Sequence, residues 1–221
     1  MNKSAYILFT RVPVANKVKT RLQSSLSGEE ASQVQLRMLQ DSFKKFSDLE
    51  QYEIDGYLAY SDEGEPTVLL QRVPKNFQTF QQQGKTIGER MNHAMQTVFA
   101  KGYEKVVLTG SDIPNLNTAI ILTAFSELTE LVFGPSFDGG YYLVGSTSQI
   151  DLKLIFETKI AWGKKKVLQE TLQRLSEHEV SLLPPLQDID YPSDLKRMQE
   201  NLAEENHYLH HWLIENRGVL E

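Results

Sequence analysis

Short unbroken apolar runs alternate along this chain with longer stretches in which apolar residues return every three or four positions. Tyr6-Ile7-Leu8-Phe9 is the first such run, of the kind buried on both faces of a parallel sheet. A polar, basic stretch follows it. Ser27-Gly28-Glu29-Glu30 then has the form of a capping box, with Ser27 as N-cap and Glu30 reaching back. It opens a helix predicted to run to about Leu49, with Val34, Met38, Leu39, Phe43 and Phe46 toward one side. Ile54–Tyr60 alternates as a strand does, and residues 76–82 form a second candidate strand. Thr86-Ile87-Gly88-Glu89 repeats the capping-box pattern and predicts a helix through about Ala100, ended by Gly102. Lys105–Thr109 reads as a strand, 110–117 as a polar turn, 118–128 as a helix and 131–133 as a strand. After a loop at 134–140, a strand is expected at 141–145, a helix at 164–176, a strand at 180–183 and a helix at 193–204.

Strands alternating with helices of crossover length predict an α/β fold: a mainly parallel central sheet flanked by helices on both faces. No repeat, low-complexity tract or Pro/Gly/Ser linker divides the chain. It is read as one domain over residues 1–221, with 206–221 as a helical tail packed on it. In such sheets ligands sit at the carboxyl ends of the strands. The loops after the first strand, after Lys105–Thr109 and after 131–133 are therefore where chemistry is expected.

Composition narrows the picture. The 221 residues suffice for a substantial core, and 40% hydrophobic with 24% charged residues is an ordinary globular balance. A net charge of -6 gives no global field toward nucleic acid or an anionic membrane, so neither is expected as a partner. The lack of cysteine excludes disulfides, thiolate metal sites and a Cys nucleophile, and it fits a reducing cytosol. The first apolar stretch is too short for a signal-peptide core, and no run approaches the roughly 18 apolar residues of a membrane span. The cytoplasm is the expected location.

Against that acidic background, Arg11, Lys17, Lys19 and Arg21 fall within eleven residues of the first strand-to-helix loop. Free backbone N–H groups and a helix dipole favour an anion there, and Lys and Arg add charge and bidentate contacts to phosphate. The loop lacks the glycines of a Walker motif, and a solvated basic turn is the competing reading. Asp112, just past a buried strand, can hold Mg²⁺ or Mn²⁺, which take oxygen ligands and bridge to phosphates; it can equally cap the turn. Asp188-Ile189-Asp190-Tyr191-Pro192-Ser193-Asp194 offers a second acid cluster, with Ser193 or Asp194 also suited to an N-cap.

Five segments in order now carry a resemblance. They are Pro13-Val14 with Val18-Lys19-Thr20-Arg21-Leu22; Gln83-Gly84 with Ile87-Gly88-Glu89-Arg90-Met91; Gly110-Ser111-Asp112-Ile113-Pro114-Asn115-Leu116; Gly134-Pro135-Ser136-Phe137-Asp138-Gly139-Gly140-Tyr141-Tyr142-Leu143; and Asp188 through Leu195. With them the chain resembles the GT-A-like nucleotide-diphospho-sugar transferase superfamily. More narrowly, it is similar to a bacterial glycosyltransferase branch of the arsenosugar-biosynthesis and radical-SAM-associated type. The resemblance implies a nucleotide pocket at the first loop, a metal at Asp112, and a second metal ligand at Asp190 from its D-x-P-x-D-L setting. The family pattern more often has Gly where this chain has Asn16, a residue that tolerates left-handed backbone. It more often has Lys where Arg11 stands, and Thr, Cys and Gly where Ser111, Ile113 and Asn115 stand. None of these differences removes a carboxylate or a phosphate-binding cation.

Asp138, before two glycines, can orient an acceptor hydroxyl or take its proton, or simply form a tight turn. The resemblance favours the functional role. Arg90 is placed to contact donor or phosphate, and Trp162 to stack on a sugar or base or to pack. Tyr141 and Tyr142 fall on opposite faces of a strand, so at most one is expected to face the site. His207, His210 and His211 lack the acid of a metal motif and are read as part of a docking helix.

The expected function is a metal-dependent glycosyltransferase using a nucleotide sugar and a small-molecule acceptor. Lys17, Lys19 and Arg21 would assist electrostatically, and a homo-oligomer is compatible with the aromatic tail. The alternative is a nucleotidyltransferase joining an NTP to a phosphorylated acceptor, because the Asp112 turn holds one acid rather than a D-x-D pair. A nucleotide-binding regulator without turnover is the third reading.

Overall fold

The computed structural model describes residues 2–156, 162, 163 and 165–219. In chain order the elements are β1 (Ser4–Thr10), α1 (Gly28–Phe46), β2 (Ile54–Tyr60), α2 (Thr67–Leu70), β3 (Phe77–Gln81), α3 (Ile87–Phe99), β4 (Lys105–Thr109) and α4 (Thr118–Glu127). They continue with β5 (Leu131–Pro135), β6 (Tyr141–Thr147), α5 (Lys153–Phe156), α6 (Val167–Arg174), β7 (Val180–Leu182), α7 (Pro192–Asn201) and α8 (His207–Glu215). The strands form one sheet in the order β3-β2-β1-β4-β6-β5-β7. Only β6 runs antiparallel to its neighbours β4 and β5 in this sheet. The expected mainly parallel α/β domain is what is found.

The apolar run of the first strand supplies both faces of the sheet. Tyr6 and Leu8 point to α1 and α4, where Leu39, Phe43, Phe46, Ile121 and Ala124 pack. Ala5, Ile7 and Phe9 point the other way, to Met91, Met95 and Val98 of α3 and to Ile155 and Phe156 of α5. Period-2 alternation within an unbroken apolar run thus feeds two cores. A third cluster lies behind α1, where Val34 and Met38 meet Leu195 and Met198 of α7 and Leu209, Trp212 and Leu213 of α8.

The antiparallel β6 follows from the length of its connection. Only residues 136–140 join it to β5, closed by Ser136 N donating to Gly140 O at 3.1 Å, and a parallel return needs a far longer crossover. Gly139 sits at φ 92, and a Cβ there would come within 2.1 Å of Lys165 O.

The Ser27–Glu30 capping box is complete. At α3 only half of the pattern holds: Thr86 Oγ1 accepts from Glu89 N at 3.2 Å, while the Glu89 carboxylate accepts from Lys85 N at 2.7 Å. Neither Ser193 nor Asp194 is the N-cap of α7. Pro192 takes the first helical position, and the Asp194 carboxylate accepts from Asp190 N at 3.1 Å and Tyr191 N at 2.8 Å. The helix expected at 164–176 is Val167–Arg174; Lys164, like residues 220 and 221 of the tail, lies outside the described residues.

Candidate active site

The carboxyl ends of β1 and β4 open into a cleft of about 550 Å³. The antiparallel β6 brings its first residues to the same place: Leu143 pairs with Thr109, and Gly110 N donates to Tyr142 O at 3.0 Å. Tyr141 and Tyr142 lie on opposite faces, as alternation requires, yet both line the cleft, which straddles the end of the sheet. The expectation that at most one would face it is corrected.

The first loop is set by two left-handed residues, Asn16 at φ 64 and Lys19 at φ 47, with Val18 and Leu22 buried as pins. Asn16 therefore does what a glycine would do at that position. The turn drives the Lys19 side chain inward until only 4% of it is exposed. Its Nζ lies 2.9 Å from Asp112 Oδ1 and donates to Ile189 O at 2.5 Å. Arg21 pairs with the Asp190 carboxylate and stands 5.5 Å over the Tyr191 ring. Asp190 foremost, then Tyr191 and Asp138, tighten the guanidinium's hold on its proton.

The other predicted cations divide. Arg11 lines the cleft and pairs with Glu63 at 2.6 Å. Lys17 donates to Glu63 O at 2.8 Å and does not line the cleft. Arg90, also outside the lining, pairs with Asp62 at 3.0 Å and donates to Gly84 O at 3.0 Å, tying two loops together. Sequence reasoning missed Glu63 and Asp62 because the loop after β2 carries no motif.

The acids converge from three segments. The backbone bond from Ile189 N to Asp112 O, 3.0 Å, draws the 188–190 segment against the Asp112 turn. Asp112 is half-exposed, Asp138 is exposed, and both line the cleft with Asp188 and Asp190. Asp138 Oδ1 accepts from Ser136 Oγ at 2.6 Å and Gly140 N at 2.9 Å, which fixes the hairpin turn. Asp188 was not singled out from the sequence. Burial first, then the charges of Asp138 and Asp190, push its carboxyl up to about 6. The alternation Asp188-Ile189-Asp190 was the available signal, since a fully buried Ile189 leaves the two acids on the opposite side.

A buried polar network supports these strand ends. Gln35 Nε2 of α1 donates to Ser111 Oγ at 2.9 Å and Thr10 Oγ1 at 3.2 Å, and the two hydroxyls are 2.9 Å apart. The ends of β1 and β4 are thereby locked together beneath the charged groups. Trp162 lines the cleft and packs on Gly88 and Tyr141.

A family model described as "Uncharacterized protein conserved in bacteria (DUF2064)" matches residues 47–164, more than half of the chain. The chain belongs to DUF2064. The DUF2064 match takes in the Asp112 turn and the Asp138 hairpin, while the first loop and the Asp188–Asp190 segment lie outside it. Among solved structures, a candidate nucleotide-diphospho-sugar transferase from Desulfovibrio desulfuricans is 30% identical, with TM-score 0.88 over 100% of this chain and 97% of that one. A cytidylyltransferase from Leptospira borgpetersenii is 14% identical, with TM-score 0.60 over 100% of this chain and 97% of that one. A 4-diphosphocytidyl-2C-methyl-D-erythritol synthase from Anaerococcus prevotii is 12% identical, with TM-score 0.54 over 94% of this chain and 96% of that one. The last two likenesses establish the DUF2064 chain's fold alone. No curated protein matches it. Among the described residues, no helix is long and apolar enough to cross a membrane.

Proposed function

We propose that this protein is a cytoplasmic, metal-dependent glycosyltransferase that takes a nucleotide-diphospho-sugar donor and a small-molecule acceptor. The observation that carries the reading is the meeting of two ion pairs, Lys19–Asp112 and Arg21–Asp190, in one cleft at the strand ends. The likeness to the Desulfovibrio desulfuricans protein over the whole chain supports the donor class. The narrower likeness to arsenosugar-biosynthesis and radical-SAM-associated transferases is part of the same proposal.

Charge balance argues for a metal. Among the described residues, Asp112, Asp138, Asp188 and Asp190 line the cleft with Arg11, Lys19 and Arg21, so these cations leave no surplus positive charge for a diphosphate. Among the described residues no three His, Asp or Glu side chains form a ready-made cage. Two carboxylates with donor phosphate oxygens and waters nonetheless fit Mg²⁺ or Mn²⁺, which seldom use an all-protein cage. Asp112 and Asp190 would hold the ion, and a bound divalent cation supplies Lewis-acid neutralisation of the leaving nucleotide. Lys19 and Arg21 contribute preorganised positive charge beside the phosphates. Arg11 extends that charge along the rim, while Lys17 and Arg90 act by holding the loop around Glu63 and Asp62. Asp138 orients the acceptor hydroxyl and takes its proton.

Nucleotidyl transfer is the second reading, favoured by the single carboxylate of the Asp112 turn. Incubation with Mg²⁺ or Mn²⁺, a panel of NTPs and nucleotide sugars and a broad acceptor panel separates the two. Nucleoside diphosphate released from a nucleotide sugar is the expected result. Pyrophosphate released from an NTP would establish the second reading instead, and binding without any release would indicate a regulator.

A further inference from the structure

The cleft has two chemically different halves, and the transfer chemistry above uses only the charged one. The other lies on the α3 face of the sheet, lined by Ile87, Met91, Leu108, Tyr141, Trp162 and Val167. This wall is built rather than incidental. Gly88 makes room for Trp162, since a Cβ there would come within 2.9 Å of the indole. Trp162 meets Tyr141 edge-on at 6.3 Å between centroids, and Tyr141 meets Phe133 in the same way at 5.1 Å.

Within this wall the Tyr141 hydroxyl is buried, with no hydrogen-bond partner among the described residues. Buried hydroxyls are almost always bonded, and the other core tyrosines of the sheet obey that rule. Tyr6 pairs with Thr109 at 2.7 Å, Tyr57 with Tyr103 at 2.9 Å, and Tyr142 with Pro184 O at 3.2 Å. Tyr141 is the exception, and it stands on the ligand cleft. Burial raises its ionisation far above the ordinary phenol range, so it is held as a neutral donor.

We infer that the acceptor is a molecule with an apolar, ring-sized body, which seats against Ile87, Met91 and Trp162 and offers one polar atom to the Tyr141 hydroxyl. The inference rests on the transferase reading for its assignment of the charged half to the donor phosphates. A polyol or bare sugar would bury unpaired hydroxyls against this wall and is disfavoured as the occupant. The cleft volume is in the range of small-molecule sites with mainly apolar linings and a few polar anchors.

The test uses the full chain and two probes of similar size: benzyl alcohol, one ring with one hydroxyl, and myo-inositol, polar all round. Ligand-observed NMR titrations are run with and without saturating nucleoside diphosphate and Mg²⁺. Saturable binding of benzyl alcohol, unaffected by nucleotide, and none of inositol is expected. Tyr141→Phe is expected to weaken benzyl alcohol about tenfold without lowering the melting temperature, because the hydroxyl has no partner to lose among the described residues. Ile87→Gln, at a residue 43% exposed, should also weaken it while leaving the melting temperature and nucleotide affinity unchanged. Equal binding of inositol, undiminished binding by Tyr141→Phe, or displacement of benzyl alcohol by nucleotide would each overturn the inference. Uptake of benzyl alcohol by a protein that binds no nucleotide would support the apolar site and sink the transferase reading. Nucleotide binding without benzyl alcohol binding would do the reverse.

Discussion

Lys19 is a buried cation held between a carboxylate and a backbone carbonyl, and it got there through a left-handed turn. Its removal leaves Ile189 O without its donor and Asp112 without its counter-charge. Lys19→Met is expected to lower kcat/KM by about a hundredfold or more, as loss of one preorganised charge-stabilising group does. Lys19→Arg should not restore it, because a planar fork does not fit a site shaped for a point charge. Full activity of Lys19→Met in the product-release assay would remove Lys19 from the machinery. Asp188 yields a prediction in pH. Its carboxyl stands at about 6, above its ordinary 3.8, so the stability it contributes is full below that ordinary value and fades as pH rises through about 6. In the presence of a chelator, Asp188→Asn should therefore unfold at higher urea than wild type at pH 7.5, and the difference should close near pH 4. Coincident midpoints at pH 7.5 would show that Asp188 is not strained by its neighbours. At this scale the sequence was partly legible. Asn16 could be recognised as a stand-in for glycine because its backbone tolerance is intrinsic. The engagement of Lys17 and Arg90 could not, because it depends on Glu63 and Asp62, whose positions only the fold defines.

Among the elements, α8 shows most clearly how a local end is fixed by a distant residue. Asp41, fully buried on α1, accepts from Tyr208 N and Leu209 N at 2.9 Å each, and so serves as the cap that no residue before α8 provides. Beside it Lys45 donates to Pro114 O at 2.7 Å and Asn206 Oδ1 at 3.0 Å, which links α8 to the turn that carries Asp112. Asp41→Ala is expected to lower stability by about 1–3 kcal/mol, the cost of leaving buried donors unpaired. Asp41→Asn, which keeps one acceptor, should recover part of it. A urea midpoint for Asp41→Ala equal to wild type would contradict this account of the tail. The amphipathic periodicity of α1 and the Ser27 cap were readable because both are encoded locally. The cap of α8 was not, since its two halves lie 167 residues apart. The direction of β6 was latent in the short connection at 136–140, a hairpin length rather than a crossover.

At the scale of the whole molecule, the alternation of apolar runs and helical stretches was enough to give a mainly parallel sheet covered on both faces. Its order, β3-β2-β1-β4-β6-β5-β7, was beyond reach, because strand order depends on contacts between segments rather than on patterns within them. The same limit applied to the cleft. The first loop and the Asp188–Asp190 segment each looked chemical in isolation, yet their pairing across about 170 residues became visible only in the fold. A protein of net charge -6 that gathers Arg11, Lys19 and Arg21 among four carboxylates has little surplus field at its site. Donor binding is thus expected to depend on the divalent cation far more than on ionic strength. The decisive measurement is the titration of a nucleotide sugar into wild type and Asp112→Asn, with Mg²⁺ or Mn²⁺ and with chelator. Tight binding is expected only for wild type with metal, with a loss of about tenfold or more for Asp112→Asn. Equal affinity of Asp112→Asn for donor and metal would contradict it.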